Sequence, residues 1–306
     1  MSNPKILFPP GMGDIYWCLT KMESFMKAHN YNKIDAYVYT LDAYPLYRGL
    51  DYLSRFPFVE PCGYYGKQID ENIFSTPGGE IHNNIMGMDH VFWFNKSMER
   101  GNSVETDIHP AYATNWYVEM YKENEIETKY INLYKRLYGE YVVLFYKTDG
   151  FYNIWSNKIN ISKIERIAKY LKSKNIKLIL TGAHWDIKEK NGFKGIMLDN
   201  DNIVDLIGRT AQIDAMFGLL KGSVANYGMA AGNLMKSVYF KKPTVMLWWP
   251  EKAGWNSKFM YNSLPKDSLN NWYYPIHLEH YDIDKIIETF DVIFQKGTNS
   301  NERYSQ

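Results

Sequence analysis

Short apolar runs alternate with longer amphipathic stretches along most of this chain. Lys5–Phe8 has the pattern of a buried strand, and Ile15–Ala28 puts Ile15, Leu19, Met22 and Met26 on one helical stripe. Ile34–Tyr39 predicts a second strand, followed by a helix around Tyr44–Phe56 and strand-like runs at Val59–Tyr65 and Val91–Phe94. From Asn115 to Tyr138 the period is helical, with Trp116, Met120, Ile126, Tyr130, Leu133 and Leu137 near one stripe.

A second series starts afresh after Gly139. Tyr141–Tyr146 reads as a strand, and Ser162–Lys174 as a helix whose Ser162 and Glu165 form a capping box. Ile176–Gly182 is a strand closing on glycine. "NIVDLIG" predicts a short strand or turn and "QIDAMFGLLKGS" a helix. "SVANYGMAAGNLMKSVYFKKPTVMLWWP" reads as short strand, glycine-rich turn, helix and strand. The last amphipathic helix is Ile283–Phe294. Alternation of this kind makes βα units and parallel sheets. The expected class is α/β, with two doubly wound, Rossmann-like domains facing a central cleft. The domains are expected at 1–139 and 140–280, followed by a helix over 281–296 and a disordered polar tail over 297–306.

Composition narrows the possible functions only slightly. The 306 residues include 35 basic and 34 acidic side chains, a formal charge of +1, so no global field draws the protein to nucleic acid or membrane. No apolar run is long enough to insert into a bilayer, and the N-terminus lacks the pattern of a secretory signal. Two cysteines, Cys18 and Cys62, give no disulfide framework or zinc set, so a reduced, cytoplasmic protein is expected. The seven histidines show no HExxH spacing, and there is no Gly-x-Ser-x-Gly elbow. His82, Asp89 and His90 have no ligand spacing, and no metal or cofactor is expected.

Four stretches could carry chemistry. In "ILFPPGMGDIYW", Gly11 and Gly13 allow a tight strand-to-helix turn, and Asp14 suits a helix cap. The same carboxylate, at the carboxyl edge of the first strand, is also placed to act as a general base. In the second stretch, Asn226, Tyr227, Gly228, Met229, Ala230, Ala231 and Gly232 form a small-residue turn before a helix. There, phosphate oxygens could reach helix N-terminal amides, or the small residues could simply serve close helix–strand packing. "TGAHWD" places His184 and Asp186 in a strand-end loop, able to touch a ribose or base or only to cap. Trp248 and Trp249 end a strand, where a ring could stack on a base or sugar or fill the core.

Taken together, these stretches resemble the ADP-heptose lipopolysaccharide heptosyltransferases, glycosyltransferases of the GT-B fold. "ILFPPGMGDIYWCLTKM" has the shape of that family's first strand, glycine turn and aspartate. "YVVLFYKTDGFYNIW", "IKLILTGAHWD", "NIVDLIGRTAQIDAMFGLLKGS" and "VANYGMAAGNLMKSVYFKKPTVMLW" follow its motif order. The resemblance covers the first thirty or so residues and most of Tyr141–Pro250. It implies an inverting, metal-independent transfer of a sugar from a nucleotide-sugar donor to a hydroxyl acceptor, a glycan by family default. Asp14 would be the base. Gly13, Thr148, His184, Asp186, Thr210, Asn226, Tyr227, Gly228, Met229, Ala230 and Trp249 would be the donor-binding set. It also implies that the final helix crosses back to brace the first domain. The family's Asp-Ser/Thr-Gly with a following histidine is Asn226, Tyr227, Gly228 and Ala231 here, and its lysine ahead of a tryptophan is Asn153. Both changes remove phosphate-binding groups. They leave two alternatives: a catalytically inactive nucleotide- or sugar-binding protein, or a phage or viral enzyme that glycosylates modified DNA bases.

Overall fold

Strand β1 (Lys5–Phe8) buries Ile6, Leu7 and Phe8 completely and leads into helix α1 (Met12–His29). Ile15, Leu19, Met22 and Met26 of α1 are buried together with Phe25, which gives the helix its inward stripe. The computed structural model describes residues 2–9, 12–39, 48–65, 87–92, 123–145, 161–182, 200–210, 212–229, 232–248, 266–277 and 282–302. These form two units, the described residues through Asn124 and those from Glu125 onward.

In the first unit β2 (Ile34–Tyr39), α2 (Arg48–Leu53), β3 (Val59–Tyr65) and β4 (His90–Val91) complete a four-stranded sheet of order β3-β2-β1-β4. Every pairing is parallel. In the second unit α3 (Glu125–Tyr138) leads into β5 (Tyr141–Phe145), α4 (Ile161–Ser173), β6 (Lys177–Thr181) and β7 (Ile203–Asp205). Then come α5 (Ile213–Gly222), β8 (Ala225–Met229), α6 (Gly232–Tyr239), β9 (Thr244–Trp248), β10 (Tyr273–His277) and α7 (Ile283–Glu302). The six strands are parallel in the order β10-β9-β8-β5-β6-β7. Val142, Leu144, Leu178, Leu180, Tyr227, Val245 and Leu247 bury one face of this sheet against Ile164, Ile167 and Leu171 of α4 and Ile286 and Phe290 of α7.

Helix ends repeat one device. Asn30, Asn175 and Lys241 take left-handed backbone, with φ of 58°, 59° and 55°. The next amide of each returns to an earlier carbonyl, as Tyr31 N to Met26 O at 2.8 Å and Ile176 N to Leu171 O at 2.9 Å. α1, α4 and α6 therefore stop sharply and hand the chain to the next strand.

Several boundaries differ from the sequence reading. The first unit ends before Glu125, so α3, expected on the first domain, packs with the second. The contact is close because a Cβ on Gly218 of α5 would fall 2.5 Å from Tyr130 Cβ and 3.2 Å from Glu127 O. Tyr141 donates its hydroxyl to Leu219 O at 3.1 Å beneath the same helix pair. Lys221 meets the fully buried Glu127 carboxylate at 2.5 Å. α7 contributes Ile283, Ile286, Phe290 and Ile293 to the second unit's core. Its helix continues through residues 297–302, where disorder was expected. α4 starts at Ile161, so Ser162 lies inside the helix and not at its cap. β10 is absent from the sequence reading because Pro275 argues against a strand. At the edge of the sheet a residue without an N–H is tolerated.

Candidate functional site

In an open parallel sheet, ligands settle beyond the carboxyl ends of the strands, at the point where the chain reverses its direction of travel across the sheet. Both sheets have such a point. In the second, the chain runs from β5 outward to β6 and β7, then returns to β8 and continues to β9 and β10. The switch lies between β5 and β8, whose last paired residues are Phe145 and Gly228. There a Cβ on residue 228 would stand 2.9 Å from Phe145 O and 3.0 Å from Phe145 Cβ. Glycine is thus required for the two backbones to close at this edge. Met229 ends β8, and α6 begins three residues later at Gly232, aiming its first amides toward the same edge.

The first sheet switches between β1 and β4, since β2 and β3 lie on the other side of β1. Gly13 and Asp14 occupy the first turn of α1, directly after β1. The helix already starts at Met12, so Asp14 is not the residue ahead of it, as the capping reading required.

Other expected donor residues are placed differently. Asn226 is fully buried, with Nδ2 donating to Leu220 O at 3.4 Å and Oδ1 lying 3.1 Å from Ser223 Oγ. It ties β8 to the end of α5. Tyr227 points to the opposite face, fully buried, with its ring edge-on to Phe290 at 6.1 Å. The segment expected as a glycine-rich turn is strand through Met229, and strand alternation turns both side chains inward. Thr210 is buried with Oγ1 2.7 Å from Thr181 Oγ1, and Gly208 N donates to Gly182 O at 2.9 Å. These bonds tie the end of β6 to the segment that follows β7. Thr148, His184, Asp186, Ala230 and Trp249 lie outside the described residues.

The carboxyl edge also brings up a group that the sequence reading missed. His277 ends β10 in register with Trp248 of β9, and it is half-buried. Its signal was hidden with that of β10 itself.

No protein-family model matches the sequence, and no curated protein matches it. Solved structures do. E. coli ADP-heptose LPS heptosyltransferase II is 13% identical, with a TM-score of 0.61 over 97% of this chain and 100% of its own. The chain has the fold of a heptosyltransferase. A glycosyl transferase of family 9 from Veillonella parvula shares that heptosyltransferase-like fold at TM-score 0.65 and 10% identity, over 97% of this chain and 98% of its own. E. coli heptosyltransferase WaaC, solved with ADP, does so at TM-score 0.51 and 9% identity, over 94% and 99%.

Proposed function

We propose that this protein is a glycosyltransferase that moves a sugar from a nucleotide-sugar donor to a hydroxyl of a glycan acceptor, with inversion at the anomeric carbon. The observation that carries the reading is the fold shared with heptosyltransferases along nearly the whole chain. The β5/β8 switch point supports it, since Gly228 lets the two strands stay closely paired up to the sheet edge that precedes α6.

In this reading Asp14 accepts the proton of the acceptor hydroxyl. The oxygen attacks the anomeric carbon from the face opposite the diphosphate, and the bond to the diphosphate breaks. Charge on the leaving group is met by the amides at the start of α6 and by that helix's dipole, without a metal. Gly228 and Met229 hold the diphosphate close to those amides. Thr148, His184, Asp186, Thr210 and Trp249 complete the proposed donor-binding set. The donor is expected to be an adenosine diphosphate sugar.

The test is a thermal-shift series of the full chain with ADP, UDP, GDP, CDP and dTDP species. A ligand that binds only the folded state raises its stability with occupancy. ADP should raise the melting temperature and the pyrimidine diphosphates should not. No shift with any of them defeats the reading. Binding without sugar transfer to any glycan replaces it with the inactive binding protein, an outcome favoured by the inward turn of Asn226.

A further inference from the structure

The turn after β7 carries a cation to the carboxyl edge of the second sheet. Ile207 N donates to Asp205 Oδ1 at 2.9 Å and Arg209 N to Leu206 O at 3.0 Å, which folds the chain back on itself. Gly208 N donates to Gly182 O at 2.9 Å, and Thr210 Oγ1 lies 2.7 Å from Thr181 Oγ1. Both neighbours of Arg209 are therefore pinned to the end of β6. Arg209 itself is exposed, and among the described residues its guanidinium makes no hydrogen bond or ion pair.

Register gives the distance from this turn to the switch point. Thr181 pairs with Phe145, and Phe145 with Gly228. Two strand spacings place Thr181 about 10 Å from Gly228, a span that an extended arginine side chain largely covers. The side of the sheet follows from alternation. Leu178, Leu180, Tyr227, Val245 and Leu247 face α4 and α7, so Thr181 lies on the other face. Asn226 meets α5 on that face, and Phe217 of α5 lies edge-on to Phe240, just past α6, at 5.1 Å. Arg209 and the start of α6 thus flank the β5/β8 switch on one face of the sheet.

The four central strands end on Phe145, Thr181, Met229 and Trp248, none of them charged. A diphosphate held at the switch meets the amides of α6 on one side, and its counter-charge has to come from a segment beyond the strands. A guanidinium suits it, because the planar fork can donate two parallel N–H bonds to phosphate oxygens. We infer that Arg209 clamps the donor diphosphate from the β6 side, an inference that rests on the donor-binding reading above. The residue then selects for the charged part of the donor, not for its base or sugar.

Calorimetric titration of the full chain tests this. The ligand is whichever of ADP, UDP, GDP, CDP and dTDP stabilises wild type, compared with its parent nucleoside. Arg209→Ala should weaken diphosphate binding on the order of 10- to 100-fold and leave nucleoside binding unchanged. Arg209→Lys, which keeps the charge without the fork, should fall between. The melting temperature without ligand should stay in place, since the side chain is exposed and bonds nothing in the fold. Arg166→Ala removes an exposed cation from α4, on the opposite face, and should alter neither affinity. Unchanged diphosphate affinity in Arg209→Ala overturns the inference and leaves donor binding standing. An equal loss of nucleoside binding, or an equal effect of Arg166→Ala, also overturns it, because the shape of the turn or the net charge would then be the cause. A wild type that binds no nucleoside diphosphate defeats the donor reading itself, and this inference with it.

Discussion

Replacing Gly228 by alanine probes the packing and the candidate site at once. The added Cβ would sit 2.9 Å from Phe145 O and 3.0 Å from Phe145 Cβ, about half an ångström inside ordinary contact. Neither atom can swing aside, since one is backbone and the other is fixed to it. Relief requires the ends of β8 and β5 to part at their last paired residues. Overpacking of this kind costs about 1–3 kcal/mol. For a unit of this size each kcal/mol lowers the melting temperature by about 2–4 °C, so a fall of roughly 3–10 °C is expected. Because the parting occurs where the donor diphosphate is proposed to lie, affinity for ADP should fall too. Scanning calorimetry with and without ADP reads both. A variant melting within 1 °C of wild type would refute the argument, because the two strands would then have room to spare.

Asp14→Asn should lower transfer by on the order of 100- to 10,000-fold while leaving the ADP-induced thermal shift in place; unchanged turnover removes Asp14 from the chemistry. Glu127→Ala strands Lys221 in the α3–α5 contact and should cost about 3–5 kcal/mol, whereas Glu127→Met combined with Lys221→Met should recover most of it. Urea midpoints measure both, and a single variant as stable as the double one speaks against a buried pair. Stability of the first unit should also depend on acid. Burial, and then the nearby His29, push the His90 imidazole down to about 4, against the opposing pull of Asp89. The folded state therefore holds His90 neutral while the unfolded chain binds a proton below about 6.5, so stability falls as pH drops from about 6.5 to 4 and levels off below. The loss is on the order of 3 kcal/mol, and a His90→Phe variant whose urea midpoint keeps the full pH slope would rule out this source.

What could be read from the residues depended on how local the cause was. Ile6, Leu7 and Phe8, or Val142 to Leu144, announce buried parallel strands because both faces are covered and the run is wholly apolar. The helical stripe of α1 is equally legible. Asn226 and Tyr227 misled because small residues after a short strand look like a turn. Only the ladder with β5 and β9 extends the strand to Met229 and turns those side chains inward. β10 was hidden by Pro275, whose tolerance depends on the strand's place at the edge. The allegiance of α3 had one sequence signal, Gly218 and Gly222 four apart on a buried helix, which marks a close helix crossing. At the site itself, glycine at 228 was legible, and Phe145 as the reason for it was not.

The grip of α5 on α3 determines where this protein can be cut. A fragment beginning at Tyr141, the first strand of the second sheet, would look like a natural domain. It would nevertheless leave Gly218 facing an empty furrow and Lys221 without the carboxylate of Glu127. A fragment beginning at Glu123 retains that brace. For dissecting donor binding in isolation, the sensible scissors point lies ahead of the helix.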